Sequence, residues 1–126
     1  MKKILSGLFL SFVMLVCITF TGCASANIDY DLVDRDTLAS ATIQNIDNNP
    51  VDYNGKTLKI KGIVESYSSG YYLNEISGCC SWSFQIKFKA GVKKPKDNEE
   101  IVVSGSCVST KYKGTVSWYL LVNEVI

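Results

Sequence analysis

The chain has 126 residues, 47% hydrophobic and 20% charged, with no histidine and a formal charge of +1. That length allows one domain, and the apolar content excludes a collagen-like or wholly disordered chain. Without histidine, a Ser-His-Asp hydrolase, a Cys-His protease and a His-ligated zinc site are all excluded.

Residues 1–22 read as a secretory signal peptide. Lys2 and Lys3 form a positive start, and an uncharged apolar run from Ile4 to Phe20 follows. The run holds Ser6, Gly7, Ser11 and Thr19, which suits a signal segment better than a retained spanning helix. Phe20-Thr21-Gly22-Cys23 resembles the bacterial lipobox, with Phe20 in the place of the usual Leu. The resemblance implies a lipid on Cys23, which would hold the mature chain on the extracytoplasmic face of the cell membrane. Ala24-Ser25-Ala26 offers the alternative of a plain signal-peptidase site. Cys17 leaves with the signal on either reading.

Cleavage before Cys23 removes two lysines and no acids, and the formal charge falls from +1 to −1. The mature chain then divides by sign. Asn27 to Gly55 carries six aspartates against Arg35, whereas Lys56 to Ile126 carries ten lysines against six acids. Two solvated surfaces of unlike sign explain this, or a basic face for an anionic ligand.

Residues 23–35 read as an acidic tether and 36–126 as the domain. Asp36 or Thr37 is the expected N-cap of a helix carrying Leu38, Thr42, Ile43 and Ile46. Asn48-Asn49-Pro50 ends it, because proline disfavours helical geometry at the residue before it. Tyr53-Asn54-Gly55 is a turn signal. Period two then takes over. Leu58 and Ile60 alternate with Lys59 and Lys61, and Gly62 marks a bulge or bend before Ile63-Val64. Ser69-Gly70 turns into Tyr71-Tyr72-Leu73. Trp82, Phe84, Ile86 and Phe88 form the clearest half-buried strand, and Trp118 and Leu120 are expected to meet them. After a polar loop from Lys93 to Glu99, Ile101, Val103 and Gly105 form a strand that ends at Cys107. Lys113-Gly114 turns into a last strand from Thr115 to about Val122. The expected fold is mainly β, a five-stranded barrel with one short N-terminal helix.

Asn49-Pro50, Tyr53-x-Gly55-Lys56, Leu58-x-Ile60-x-Gly62-x-Val64 and Asn98-Glu99-Glu100-Ile101-x-Val103-x-Gly105 have the cadence of small OB-fold proteins. The chain resembles the tRNA-anticodon-like OB-fold group of small bacterial lipoproteins, whose function is largely unknown, over roughly residues 36–126. Ala90 to Glu99 is too short and polar for the helix that the usual OB barrel places there. The resemblance implies a ligand-capable face over the middle strands, with Lys59, Lys61, Tyr71, Tyr72 and Lys87 as its candidate residues. It implies no particular ligand and no cofactor.

Cys79, Cys80 and Cys107 are the remaining thiols. One structural disulfide through Cys107 is expected outside the cytoplasm. The alternative is a soft-metal or redox site using all three. Adjacent strand residues point to opposite faces, so Cys79 and Cys80 converge only if Gly78 bends the chain. A second small lipoprotein group that the chain resembles also carries a Cys-Cys pair entering a strand. Tyr67, Tyr71, Tyr72, Tyr112 and Tyr119 sit near strand ends. The expectation is that they fill the core or cover hairpin ends, since nucleic acid is a poor partner at a cell surface. Glu99-Glu100 has no visible catalytic partner, and Gly78-Cys79-Cys80-Ser81 lacks the lysine of a phosphate loop. The leading expectation is a non-enzymatic, lipid-anchored binding module that meets an envelope protein, a glycan or a small anionic ligand. The alternative is a thiol-dependent metal or redox protein.

Overall fold

The computed structural model describes residues 27–76, 78 and 81–126. The expected signal peptide, Cys23, Cys79 and Cys80 lie outside the described residues. The elements are β1 (Tyr30–Asp31), α1 (Asp36–Asn48), a 3-10 turn (Pro50–Tyr53), β2 (Thr57–Tyr67), β3 (Gly70–Asn74), β4 (Ser83–Phe88), β5 (Glu100–Tyr112) and β6 (Thr115–Val125).

The fold is mainly β. The six strands form one sheet in the order β1-β2-β3-β4-β6-β5, and β2 also pairs with β5. Each of β3, β4, β6 and β5 therefore has two hydrogen-bonded neighbours, and β2 has three. Most pairs are antiparallel. β4 and β6 run parallel, from Ile86↔Leu120 to Phe88↔Val122, and β1 runs parallel to β2.

α1 buries Ala39, Thr42, Ile43 and Ile46, which share one face at helical spacing. Leu38 falls off that stripe and is 46% exposed, contrary to the expected face. Neither Asp36 nor Thr37 caps the helix. Arg35 holds the cap position without a side-chain hydrogen bond, and Asp36 sits in the first turn, where its charge favours the helix dipole. At the far end the Asn49 N–H donates to the carbonyls of Asn45 and Ile46 before Pro50 opens the 3-10 turn.

Part of the expected tether is folded in. Thr57 N–H and Oγ1 both donate to the Asp29 carboxylate, at 2.9 and 3.0 Å. Tyr30 and Asp31 pair with Leu58 and Lys59, and Leu32 is buried. Two consecutive strand pairs leave no periodic signal in a sequence, so this sixth strand was missed.

In β2, Leu58, Ile60 and Val64 face the core, as alternation predicts. No bulge lies at Gly62. There β2 passes from one partner to the other, pairing with β5 through Ile63 and with β3 from Ile63 onward. A Cβ on Gly62 would stand 2.7 Å from the Asn74 oxygen and the Leu73 Cγ. Close approach, rather than a bulge, demands the glycine. The register shift lies instead at Ser104/Gly105 in the β5–β6 ladder.

β5 does not end at Cys107. It runs five residues further, and its last turn-side stretch forms a ribbon with the start of β6 from Tyr112↔Thr115 back to Ser109↔Trp118. The core joins Leu58, Ile60, Val64, Leu73, Ile86, Val103, Leu120 and Val122 to Ala39, Ile43 and Ile46 of the helix. Among the described residues, the buried core lies between Leu32 and Val122.

Candidate functional site

β4 and β6 share ladder pairs only from Ile86 and Leu120 onward. Upstream of those residues Ser83–Gln85 faces Val116–Trp118 across an open groove of about 310 Å³. Asp47 and Pro50 wall one side and Tyr72 the other. A hollow of about 290 Å³ adjoins it, sharing Pro50 and Val116 and extending to Asn49, Val51 and Asp52.

The floor is aromatic. Phe84 stacks on Trp118 with centroids 4.9 Å apart and planes 25° apart, and on Trp82 at 5.5 Å and 24°. Alternation places Trp82 and Phe84 on the inner side of β4, and Trp118 comes to them because β6 lies next to β4. The Trp118 indole N–H donates to Asp47 Oδ1 at 2.7 Å, which fixes the ring. Ser83, Gln85, Ser117 and Tyr72 supply further hydrogen-bonding groups. Val51 is 64% and Val116 38% exposed, which gives the rim apolar contact area. Among the described lining residues there is no lysine or arginine. An apolar floor under a few polar groups is the usual make-up of a small-ligand site, and here the polar groups are neutral or acidic.

The candidate ligand face read from the sequence is not one surface. Lys61 Nζ pairs with Glu100 at 3.1 Å, which pushes its pKa up, first through that hydrogen bond. Lys59, two residues earlier, lines a different hollow of about 440 Å³ with Asn27, Ile28, Ser104, Glu124 and Ile126. Tyr71 turns inward against Phe88, at 5.2 Å edge to face. Lys87 Nζ lies 4.3 Å over the Tyr119 ring. Only Tyr72 lines the groove, packed edge-on against Tyr67 at 5.5 Å. Tyr67 and Tyr112 do not fill the core, being 55% and 74% exposed. Asp47, Gln85, Val116 and Ser117 were not foreseen. Asp47 belongs to the helix, Gln85 to β4, and Val116 and Ser117 to β6, so no local spacing connects the three elements.

Cys107 is a buried thiol in mid-β5, opposite Leu120. The expected bridge assumed that the strand after Cys80 and the strand of Cys107 are antiparallel neighbours. They are not: β6 lies between β4 and β5. The expected partners, Cys79 and Cys80, lie outside the described residues. Burial pushes the Cys107 thiol up to about 12, which keeps it protonated and poor as a nucleophile or ligand. Among the described residues no three Cys, Asp or Glu side chains converge as a metal site, and no helix is long and apolar enough to cross a membrane. Comparison of the chain with protein-family models, curated proteins and solved structures found no match.

Proposed function

We propose that this protein is a lipid-anchored, extracytoplasmic binding module without enzymatic activity, built as a five-stranded OB-like barrel. The ring of pairings among β2, β3, β4, β6 and β5 supports closure into a barrel. The groove between β4 and β6 carries the functional reading. Its stacked Phe84–Trp118 floor, apolar Val51 and Val116 rim and neutral hydrogen-bonding groups suit a glycan or an uncharged peptide segment of an envelope protein. They do not suit the anionic ligand considered from the sequence. Anchoring rests on Cys23 and the apolar run before it.

Two measurements test the proposal. Metabolic labelling with a fatty acid should mark the parent and not Cys23→Ser. Titration of the mature chain with neutral envelope glycan fragments and with peptides should give a saturable change in tryptophan emission, lost in Tyr72→Ala and in Val116→Asp. Saturable binding that survives both substitutions would move the site elsewhere. Turnover of any such ligand would end the non-enzymatic reading.

A further inference from the structure

The groove and the most basic loop lie at opposite ends of the same two strands. β6 leaves the groove at Val116 and reaches Val125 nine residues later, about 30 Å along an extended strand. Val125 there lines a hollow of about 270 Å³ with Lys93, Lys94, Pro95, Lys96 and Glu99. β4 likewise runs from Ser83 at the groove to Phe88, and the chain enters this loop at Lys89.

The loop is held in place. Lys89 N–H donates to the Val122 carbonyl at 2.9 Å, and Val92 packs against the core. Lys94 Nζ stands 5.8 Å over the Tyr71 ring. Its two acids are drawn onto backbone. Asp97 Oδ1 accepts from Ser66 N–H at 2.7 Å, and Glu99 Oε2 accepts from Lys96 N–H at 2.8 Å. Lys89, Lys93, Lys94 and Lys96 all stay exposed.

The next residue, Ile126, is 59% exposed and shares the 440 Å³ hollow with Asn27 and with Ile28, itself 36% exposed. Glu124 is the acid of that hollow and Lys59 its base. Only four residue steps separate Asn27 from Cys23, a reach of at most about 14 Å. A lipid on Cys23 would thus keep this side of the domain close to the bilayer.

We propose that Lys93, Lys94 and Lys96, with exposed Ile28 and Ile126 beside them, dock the domain onto an anionic bilayer surface and turn the groove between β4 and β6 away from the membrane. The proposal rests on the lipid-anchored reading for its biological setting, but the docking itself is a property of the folded chain. Each lysine near an anionic surface adds to attraction that falls within a Debye length. Exposed apolar side chains add insertion at the headgroup boundary.

The test uses residues 23–126 carrying Cys23→Ser, with cooperative unfolding checked first. The probes are vesicles of equal phosphatidylglycerol and phosphatidylcholine, against phosphatidylcholine alone. The expected result is sedimentation with the anionic vesicles at low salt and release at about 1 M salt, where the Debye length is about 3 Å. Lys93→Glu/Lys94→Glu/Lys96→Glu should weaken partitioning more than about 100-fold. Lys111→Glu/Lys113→Glu, at the ribbon tip beyond the groove, should leave it within about threefold. Equal loss in the two variants, no anionic preference, or equal competition by soluble polyphosphate would overturn the docking. Fatty-acid labelling of the parent at Cys23 is read separately. Its absence would remove the anchor while leaving the vesicle result to stand.

Discussion

The indole N–H of Trp118 donates to Asp47 Oδ1 at 2.7 Å across 71 residues of sequence. This bond ties the last turn of α1 to the stretch of β6 that pairs with β5 but not with β4. It therefore sets the width of the candidate groove as well as the seating of the helix. Trp118 is buried, so losing the acceptor leaves its N–H without a partner. Asp47→Leu should cost about 1–3 kcal/mol, whereas Asp47→Asn keeps an acceptor and most of the stability. Urea unfolding followed by tryptophan emission measures both. Equal midpoints for the two variants would show that the bond does not hold the helix.

Phe84 lies between two tryptophans and has no slack around it. Phe84→Ala should destabilise by about 3–5 kcal/mol. For a domain of this size that lowers the melting temperature by more than about 10 °C. A fall of a degree or two would remove Phe84 from the core.

Gly62→Ala tests the handover of β2 between its two partners. The added methyl meets the Asn74 carbonyl oxygen, which belongs to the β3 backbone and cannot step aside. The expected cost is about 1–3 kcal/mol, with faster hydrogen exchange of the β2–β3 amides. Unchanged exchange across Ile63–Tyr67 would show that β3 shifts without penalty.

Cys107 gives the domain a weakness at high pH. Burial disfavours the thiolate and pushes the folded thiol up to about 12, against an ordinary value of 9.0 for an exposed thiol. The unfolded chain therefore releases this proton first. Its contribution to stability is complete below pH 9 and declines as pH rises from about 9 to 12. Cys107→Ala should lower stability at pH 7 through lost packing but flatten this decline. A parent and variant with parallel stability curves between pH 8 and 11 would refute the linkage. In the native protein at pH 8, Cys107 should resist alkylation until urea unfolds the chain.

Wherever burial follows a local period, the strands and helix were legible in the sequence. Leu58-Ile60-Val64, Trp82-Phe84-Ile86 and Ile101-Val103 alternate because each strand buries one side, and Thr42, Ile43 and Ile46 share one helical face, with Ala39 rather than the expected Leu38 completing it. The glycine and proline punctuation at Pro50, Gly55, Gly70 and Gly114 marked most boundaries, since only a few residue types tolerate those backbone geometries. Which strands become neighbours is a long-range matter. The sequence does not show that β6 separates β4 from β5. The same adjacency brought Trp118 onto Phe84, set Asp47 beside both, and opened the groove where the ladder stops. Tyr71 and Tyr72 are neighbours in sequence, yet the pleat sends one inward to Phe88 and the other to the groove. Composition and period decide which residues are buried. The tertiary structure alone decides which of them meet, because register and strand order are set by packing across the whole sheet.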